Sequence, residues 1–246
     1  MGARAHGLGY ASSTLSDEWA LFNNAGGLAK VKRRVASATC NLNPSLPFAK
    51  KIAAVFTSPL KHGTAAFGLF KFGDDLYNEQ IITAGFANQV GITSIGIKAN
   101  YIQYHAEGIG TKNVFSISAG GITELGSHIK IGIHILNVNQ PILSRAEGER
   151  LPTIMIAGIS FTPTDHLLVV AEIEKDLEYT PTWKAGIEYS PFTKFFFRTG
   201  FNLKPSTTFF GAGFHTKKFH IDYAIECSSV IQSSHQASIS YFIPSR

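Results

Sequence analysis

The stretch HIKIGIHI, from His128 to Ile135, indicates the fold class because it alternates strictly between apolar and polar positions. The apolar positions are Ile129, Ile131, Ile133 and Ile135. The polar positions are His128, Lys130, Gly132 and His134. Successive side chains of a β-strand point to opposite sides of a sheet. The stretch therefore predicts a strand with one apolar face and one polar face.

Runs with the same alternation recur from residue 33 almost to the end of the chain. About fourteen such strands are expected, near residues 33–42, 50–57, 64–72, 79–88, 92–106, 112–121, 126–138, 153–162, 166–175, 180–190, 193–203, 206–215, 217–228 and 233–243. An even number of antiparallel strands of roughly ten residues, apolar on one side only, is typical of outer-membrane barrels. The sequence therefore predicts an all-β fold, a fourteen-stranded antiparallel transmembrane β-barrel formed by residues 31–246.

Composition favours a membrane barrel over other classes. Charged residues make up 16% of the chain and aromatic residues 12%, and soluble proteins usually carry about 25% charged residues. No window reaches the roughly 20 consecutive apolar residues of a spanning helix. The formal net charge is +5, but Lys and Arg are scattered along the chain apart from the cluster 30–34, so no nucleic-acid partner is expected. A soluble β-sandwich remains the alternative for any single strand.

Glycines recur on the polar face of the predicted strands, in the segments TAGFA, SAGGI, IAGIS, KAGIE, RTGFN and GAGFH. The residues concerned are Gly85, Gly120, Gly158, Gly186, Gly200 and Gly213. Glycine on an inward face lets another segment approach the wall closely, or lets the sheet bend. Both explanations remain open from the sequence.

Inward polar side chains are candidates for a site, but a hydrogen-bonded lumen network is the expected arrangement. The predicted network contains His128, Lys130, His134, Lys184, Glu188, Arg198, His220, Asp222 and Glu226. His128 and His134 lie about 20 Å apart along one strand, too far for one metal ion. The chain contains no familiar catalytic or phosphate-binding motif. We expect no enzymatic activity, no metal and no cofactor.

The two cysteines are predicted to be free thiols. Cys40 falls on the first predicted strand and Cys227 on the thirteenth, so the last strand separates them in a closed barrel. Their Cα atoms would be about 9.5 Å apart, and a disulfide needs them within about 7 Å.

The stretch GARAHGLGYASSTLSDEWALFNNAGGLA, from Gly2 to Ala29, differs from everything that follows it. It resembles the N-terminal signature of the FadL-like outer-membrane proteins, especially the PorV and PorQ branch associated with type IX secretion. The matching parts are Gly2-Ala3-Arg4, Gly7-Leu8-Gly9, the acidic start at Ser16 and the close at Asn24 to Ala29. Ala25 and Gly26 depart from the family's Pro and Ala. The resemblance implies a fourteen-stranded barrel whose residues 1–30 form a plug in the lumen.

We expect the plug to contain a short helix that Ser16 caps and whose first turn carries Asp17 and Glu18. Apolar side chains would be buried, and two glycines would permit a sharp exit into the first strand. The candidate plug residues are Asp17, Glu18, Trp19, Leu21, Phe22, Asn24, Gly26, Gly27 and Leu28.

Two functions are compatible with the resemblance. The one we expect is that of an accessory subunit of a larger outer-membrane machine, because the loops are short and the lumen is rich in charges. The alternative is a channel for hydrophobic small molecules. The long connection 139–152 would contact a partner protein through Arg145, Glu147, Glu149 and Arg150. Expected partners are outer-membrane lipids and other outer-membrane proteins, together with a hydrophobic ligand if the alternative function holds. The chain shows no signal peptide, so we expect an outer-membrane protein whose leader has been removed.

Overall fold

The computed structural model describes residues 1–144, 148–177, 179–228 and 232–244. Fourteen antiparallel strands form a closed barrel, so the predicted fold class is confirmed. The strands are β1 (Val35–Leu42), β2 (Lys51–Leu60), β3 (Gly63–Gly73), β4 (Tyr77–Val90), β5 (Thr93–Ala106), β6 (Gly110–Leu125), β7 (Ile129–Leu136), β10 (Ile154–Thr164), β11 (Leu167–Asp176), β12 (Thr182–Phe192), β13 (Phe195–Asn202), β14 (Thr207–His215), β15 (Phe219–Ser228) and β16 (Gln232–Phe242). The remaining strands, β8 (Ile142–Ser144) and β9 (Glu149–Arg150), pair with each other outside the barrel.

Each barrel strand pairs with the next barrel strand along the chain, and the last strand closes the barrel on the first. β1 pairs with β16 so that Val35 lies opposite Phe242 and Leu42 lies opposite His235. β16 also lies between Cys40 in β1 and Cys227 in β15, and both cysteines are free. The prediction of two free thiols is therefore confirmed.

The barrel carries its apolar side chains on the outside. Phe197 is 53% exposed, whereas the next residue, Arg198, is 4% exposed. Ile133 and His134 differ in the same way. A soluble sandwich would bury the apolar face and expose the polar one, so the sandwich alternative is wrong. An apolar outer wall of this extent needs lipid around it. None of the described helices is long and apolar enough to cross a membrane.

The two ends of the barrel differ in the length of their connections. Short connections lie at one end, here the turn end, at 61–62, 91–92, 126–128, 165–166, 193–194 and 216–218. Longer ones lie at the other end, the loop end, and include 43–50, 137–153, 177–181 and 203–206. Outer-membrane barrels usually have short turns on the periplasmic side and longer loops outside the cell.

The longest connection, 137–153, contains the β8–β9 pair. Of the four residues predicted to contact a partner, Glu149 and Arg150 form β9 and are exposed. Arg145 and Glu147 lie outside the described residues.

Before β1, the chain forms three short helical segments inside the lumen: α1 (Ala3–Gly7), α2 (Ala20–Asn23) and a 3₁₀ helix (Ala25–Lys30). The expectation that Ser16 caps a helix is wrong. α2 begins at Ala20 and has Trp19 as its N-cap, without a side-chain cap. Because the helix starts later than predicted, Asp17 lies before it and instead accepts a hydrogen bond of 3.0 Å from the Trp19 backbone N–H.

Candidate functional site

Residues 1–30, called the plug below, follow the inner wall of the barrel. α1 packs against β14 and β15. Leu8 and Gly9 lie against glycines of β12 and β13, and Ser13 lies against glycines of β7 and β10. The 3₁₀ helix then packs against β3, β4, β5 and β6. The candidate site is therefore the plug together with the inward face that it covers.

The wall glycines let the backbone of the plug approach the backbone of the strands. A methyl group on Gly132 would collide with the Ser13 carbonyl, and one on Gly200 would collide with the Gly9 nitrogen. Of the glycines predicted to face inward, those that lie against the plug are Gly85, Gly120, Gly158, Gly186 and Gly200. Gly213 instead makes room for the side chains of Asp222 and Arg198. Close approach of the plug to the wall therefore explains the first five glycines, and close approach of two wall side chains explains Gly213.

The two plug glycines have a different role from the one expected. Gly26 and Gly27 lie within the 3₁₀ helix and do not form a sharp exit into β1. A Cβ atom on Gly26 would lie 2.8 Å from the Gly121 Cα atom, and one on Gly27 would collide with the Leu15 carbonyl. Both glycines are needed for close packing, because they lie where the plug meets β6 and where it folds on itself.

Arg4 of the plug forms a bidentate ion pair with Glu188 of β12, at 2.9 Å from Nε to Oε2 and 2.7 Å from Nη2 to Oε1. Glu188 also accepts a hydrogen bond of 2.5 Å from Arg198 Nε. Arg198 Nη1 in turn donates to Asp222 at 2.6 Å, and the Arg198 side chain is fully inaccessible to solvent. Arg4 also lies 3.3 Å from Asp17. Alternating charges thus join the plug to β12, β13 and β15.

A second anchor holds the backbone of the plug. One carboxylate oxygen of Glu172 accepts hydrogen bonds from the Ser12 and Ser13 backbone N–H groups, at 2.9 and 2.7 Å. Lys184 lies 3.3 Å from Glu172 and 2.5 Å from Glu174. The buried carboxylate of Glu172 is therefore balanced by a cation and by two backbone dipoles.

A third anchor joins α1 to β15, where the His6 ring lies 3.1 Å from the Glu226 carboxylate. Burial lowers the pKa of His6, although Glu226 opposes this effect. Burial also raises the pKa of Glu18 to about 7, and neighbouring Asp17 adds to the shift. Glu18 accepts a hydrogen bond from the Ser240 hydroxyl.

The last part of the plug is held by apolar contacts. Trp19, Leu21 and Leu28 are buried against small wall residues, and Phe22 is partly buried at the edge of the same cluster. These wall residues are Ala53, Val55, Ala66 and Ala87. Asn24 is 0% exposed, and it donates to the Ser13 carbonyl at 2.6 Å and accepts from the Gly26 N–H at 3.1 Å.

The other predicted network residues are distributed along the lumen. His134 is buried beside Gly120, whereas Lys130 lies near the turn end, 3.1 Å from Glu124. His220 stacks on His215 with ring centroids 3.9 Å apart. The inclusion of His128 was wrong: this residue precedes β7, is exposed at the turn end and bonds to the Thr162 carbonyl at 2.8 Å.

Several site residues were missed by the sequence analysis. Arg4, His6, Glu172 and Lys98 all join the plug to the wall, and Lys98 donates to the Phe22 carbonyl at 3.0 Å. The alternation of β5 and β11 places Lys98 and Glu172 on the polar face, so this signal was available for both. Arg4 and His6 lie in the plug, where no strand alternation indicates which side chains face the wall.

The plug lies between cavities at the two ends of the lumen. The cavity at the loop end, called the loop-end chamber, has a volume of about 370 Å³. Its apolar lining includes Tyr10, Phe22, Ala53, Leu136 and Ile156, and its charged lining consists of Lys51, Glu172, Lys184 and Glu226. A cavity of about 340 Å³ at the turn end is lined by charged residues that include Arg4, Asp17, Glu188 and Asp222.

The fold is similar to those of several solved outer-membrane structures. The monoaromatic hydrocarbon channel CymD has a TM-score of 0.73 and 12% identity, with 99% of this chain and 98% of that chain covered. The toluene transporter TodX of Pseudomonas putida has the same TM-score and identity, with 98% and 97% covered. The KdgM porin is less similar, with a TM-score of 0.51, 7% identity, and 85% and 99% covered. Neither a family model nor a curated protein matches the sequence.

These comparisons contradict our expectation of an accessory subunit. The structures that share the fold over nearly the whole chain are FadL-like hydrocarbon channels, and they favour the alternative that the sequence analysis kept. Our expectation rested on short loops and a charged lumen, but a barrel needs neither long loops nor an apolar lumen throughout in order to contain a chamber that is partly apolar. The comparisons do not show the PorV and PorQ branch.

Proposed function

We propose that the protein is an outer-membrane channel for hydrophobic small molecules. In this proposal residues 31–246 form the membrane barrel and residues 1–30 act as one plug that closes its lumen. The similarity to TodX and CymD supports the architecture, and the apolar outer wall supports a membrane location. The proposal assigns the protein no catalytic reaction.

The loop-end chamber is the observation that carries the proposal. Its volume of about 370 Å³ is within the range of small-molecule sites, roughly 300–1,000 Å³. Leu136 and Ile156 enter it from neighbouring strands, β7 and β10, and Phe22 and Tyr10 enter it from the plug. Aromatic and branched side chains from both the wall and the plug thus line one part of the space in which a ligand would rest, and polar side chains line the rest.

Three of the four charged side chains around the chamber already have a partner within the protein. Glu172 forms an ion pair with Lys184, and the Glu226 carboxylate is hydrogen-bonded to His6 and Ser234. The Lys51 ammonium lies over the Phe72 ring, 6.0 Å from its centroid. Because Glu172, Lys184 and Glu226 have partners without a ligand, the chamber does not require a charged ligand to satisfy them. An uncharged, apolar molecule therefore suits it.

The proposal is tested by filling the chamber without changing the outer wall. Ile156→Trp should place a large ring in the chamber and reduce the uptake of radiolabelled toluene by cells that produce the protein. Ile159→Trp, on the same strand but 47% exposed on the outer wall, is the matched control and should leave uptake unchanged. Equal surface amounts of the two variants are required.

If wild-type cells take up toluene no faster than cells without the protein, hydrocarbon transport is wrong. If both Trp variants transport at the wild-type rate, the chamber is not on the route of the substrate.

A further inference from the structure

The lipid-facing wall has an apolar groove near the turn end of β13, β14 and β15. Ala212 of β14 forms its floor, because its cross-strand partners, Phe197 and Tyr223, are much larger. The groove has a volume of about 260 Å³. Its other outward-facing lining residues are Phe195, Phe214 and Ile221. The rings of Phe195 and Phe214 lie 5.2 Å apart and form the side of the groove nearest to the turns.

Lysines lie at the turn end of this groove. Lys194 directly precedes β13, and Lys217 and Lys218 lie in the connection between β14 and β15. All three are exposed. Ala212 is three residues from the end of β14 at His215, which corresponds to about 10 Å along a strand. The apolar groove therefore begins within the membrane and leads to a cluster of cations at its edge.

Arg33 extends this cluster toward β1. Its Nη1 atom donates to the Lys217 carbonyl at 2.7 Å, and its guanidinium lies 4.2 Å from the centroid of the Phe242 ring. The segments 30–34, 193–194 and 216–218 contain no acidic residue. The cations of this sector are therefore not neutralised by carboxylates of the same connections.

The rest of the turn end has a different composition. The connections 91–92, 126–128 and 165–166 contain no Lys or Arg, and the connection 61–62 contains only Lys61. A general attraction to a negative membrane surface would be served by cations spread evenly around the rim. Here most of the cations in the turn-end connections lie in the sector that also carries the groove, so the two features are expected to bind parts of the same molecule.

We propose that this surface binds one anionic phospholipid. One acyl chain lies in the groove over Ala212, and the phosphate contacts Lys194, Lys217 and Lys218. The shape of the groove accounts for the chain, and the uncompensated cations account for the phosphate. A second copy of the protein suits this surface less well, because a symmetric contact would bring two such lysine clusters together.

The test is to titrate the detergent-solubilised barrel with phosphatidylglycerol or phosphatidylcholine of identical acyl chains and to count bound lipids by native mass spectrometry. The wild type should retain one phosphatidylglycerol and bind phosphatidylcholine far more weakly. The triple variant Lys194→Gln, Lys217→Gln and Lys218→Gln should bind phosphatidylglycerol about a hundredfold more weakly. Ala212→Phe fills the groove and should abolish retention of the lipid.

Matched controls separate the site from general effects. Lys112→Gln, Lys175→Gln and Lys204→Gln remove the same charge at the loop end, and Ala84→Phe adds a ring to an exposed position of β4. Both control variants should retain the lipid. Equal retention of the two phospholipids by the wild type, or retention of phosphatidylglycerol by Ala212→Phe, would overturn the proposal. So would a wild-type dimer that Ala212→Phe converts to a monomer, because the groove would then bind a second copy.

Discussion

The two halves of the plug are attached to the same wall by different forces. Residues 2–18, the polar half, are held by Glu172, Glu188 and Glu226 through ion pairs and hydrogen bonds. Residues 19–30, the apolar half, are held mainly by burial of Trp19 and Leu21 and by close contact with wall glycines.

One lumen therefore holds one segment by two kinds of interaction, ion pairs and close packing. Ion pairs depend on the presence of both partners, since a buried charge without its partner is costly. Close packing depends on volume, so one added methyl group disturbs it. We therefore expect the polar half to respond to removal of a charge and the apolar half to addition of a carbon atom.

The largest effect is expected from Arg198→Met in the polar half. This change removes the cation between Glu188 and Asp222, leaving Glu188 with Arg4 alone and Asp222 with His215. Breaking a buried pair in this way costs about 3–5 kcal/mol. The free energy of unfolding in urea, measured in lipid vesicles, should fall by that amount.

Lys204→Met is the control for this change, because Lys204 is an exposed cation at the loop end. Its effect should be below about 1 kcal/mol. Equal effects of the two substitutions would show that the buried network does not stabilise the protein.

The strand pattern could be predicted from the sequence because it depends on short-range alternation. The stretch 128–135 correctly indicated the strand β7 and its outward face, and the count of barrel strands was correct. Strand ends were less accurate: β6 was expected at 112–121 and spans Gly110–Leu125. Alternation continues past the membrane edge in hairpins, so no change of pattern marks the end.

The ion pairs could not be predicted in the same way. Arg4 and Glu188 are 184 positions apart, and their contact depends on the path of the plug around the lumen. That path is determined by where the wall lacks side chains, as at Gly132 and Gly200. Gly132, Gly200 and five other inward glycines were recognised from the sequence and Gly96 was not, and which plug residue each would meet depends on the closed barrel.

A smaller effect is expected from Gly96→Ala, which tests the apolar half. A Cβ atom at Gly96 would collide with the Ala25 carbonyl of the 3₁₀ helix, and that backbone group cannot rotate away. Overpacking of this kind costs about 1–3 kcal/mol. The free energy of unfolding should fall by this amount, and limited proteolysis should cut the plug faster.

Gly121→Ala provides the comparison, since its nearest neighbour is the Ser94 carbonyl oxygen at 3.3 Å and a small shift relieves the contact. If Gly121→Ala proves as destabilising as Gly96→Ala, the plug does not depend on close approach to the wall at Gly96.

The last effect concerns pH and the end of the polar half. The pKa of Glu18 is raised to about 7 because burial penalises its charged form and Asp17 lies beside it. The folded state therefore binds a proton that the unfolded state releases above its own pKa of 4.5. The stabilisation from this proton is fully present below pH 4.5, falls as the pH rises, and is lost above about pH 7.

Glu18→Gln keeps an uncharged side chain at this position at every pH and should remove this dependence. His6 is present in both proteins, so its own titration cancels when the two urea midpoints are subtracted at each pH. The difference between the two urea midpoints should change between pH 4.5 and pH 7, and it should shift in favour of the Glu18→Gln variant as the pH rises. A constant difference over this range would mean that Glu18 ionises in the folded protein as it does in water, and that the carboxylate at the end of the polar half is not held in a buried environment.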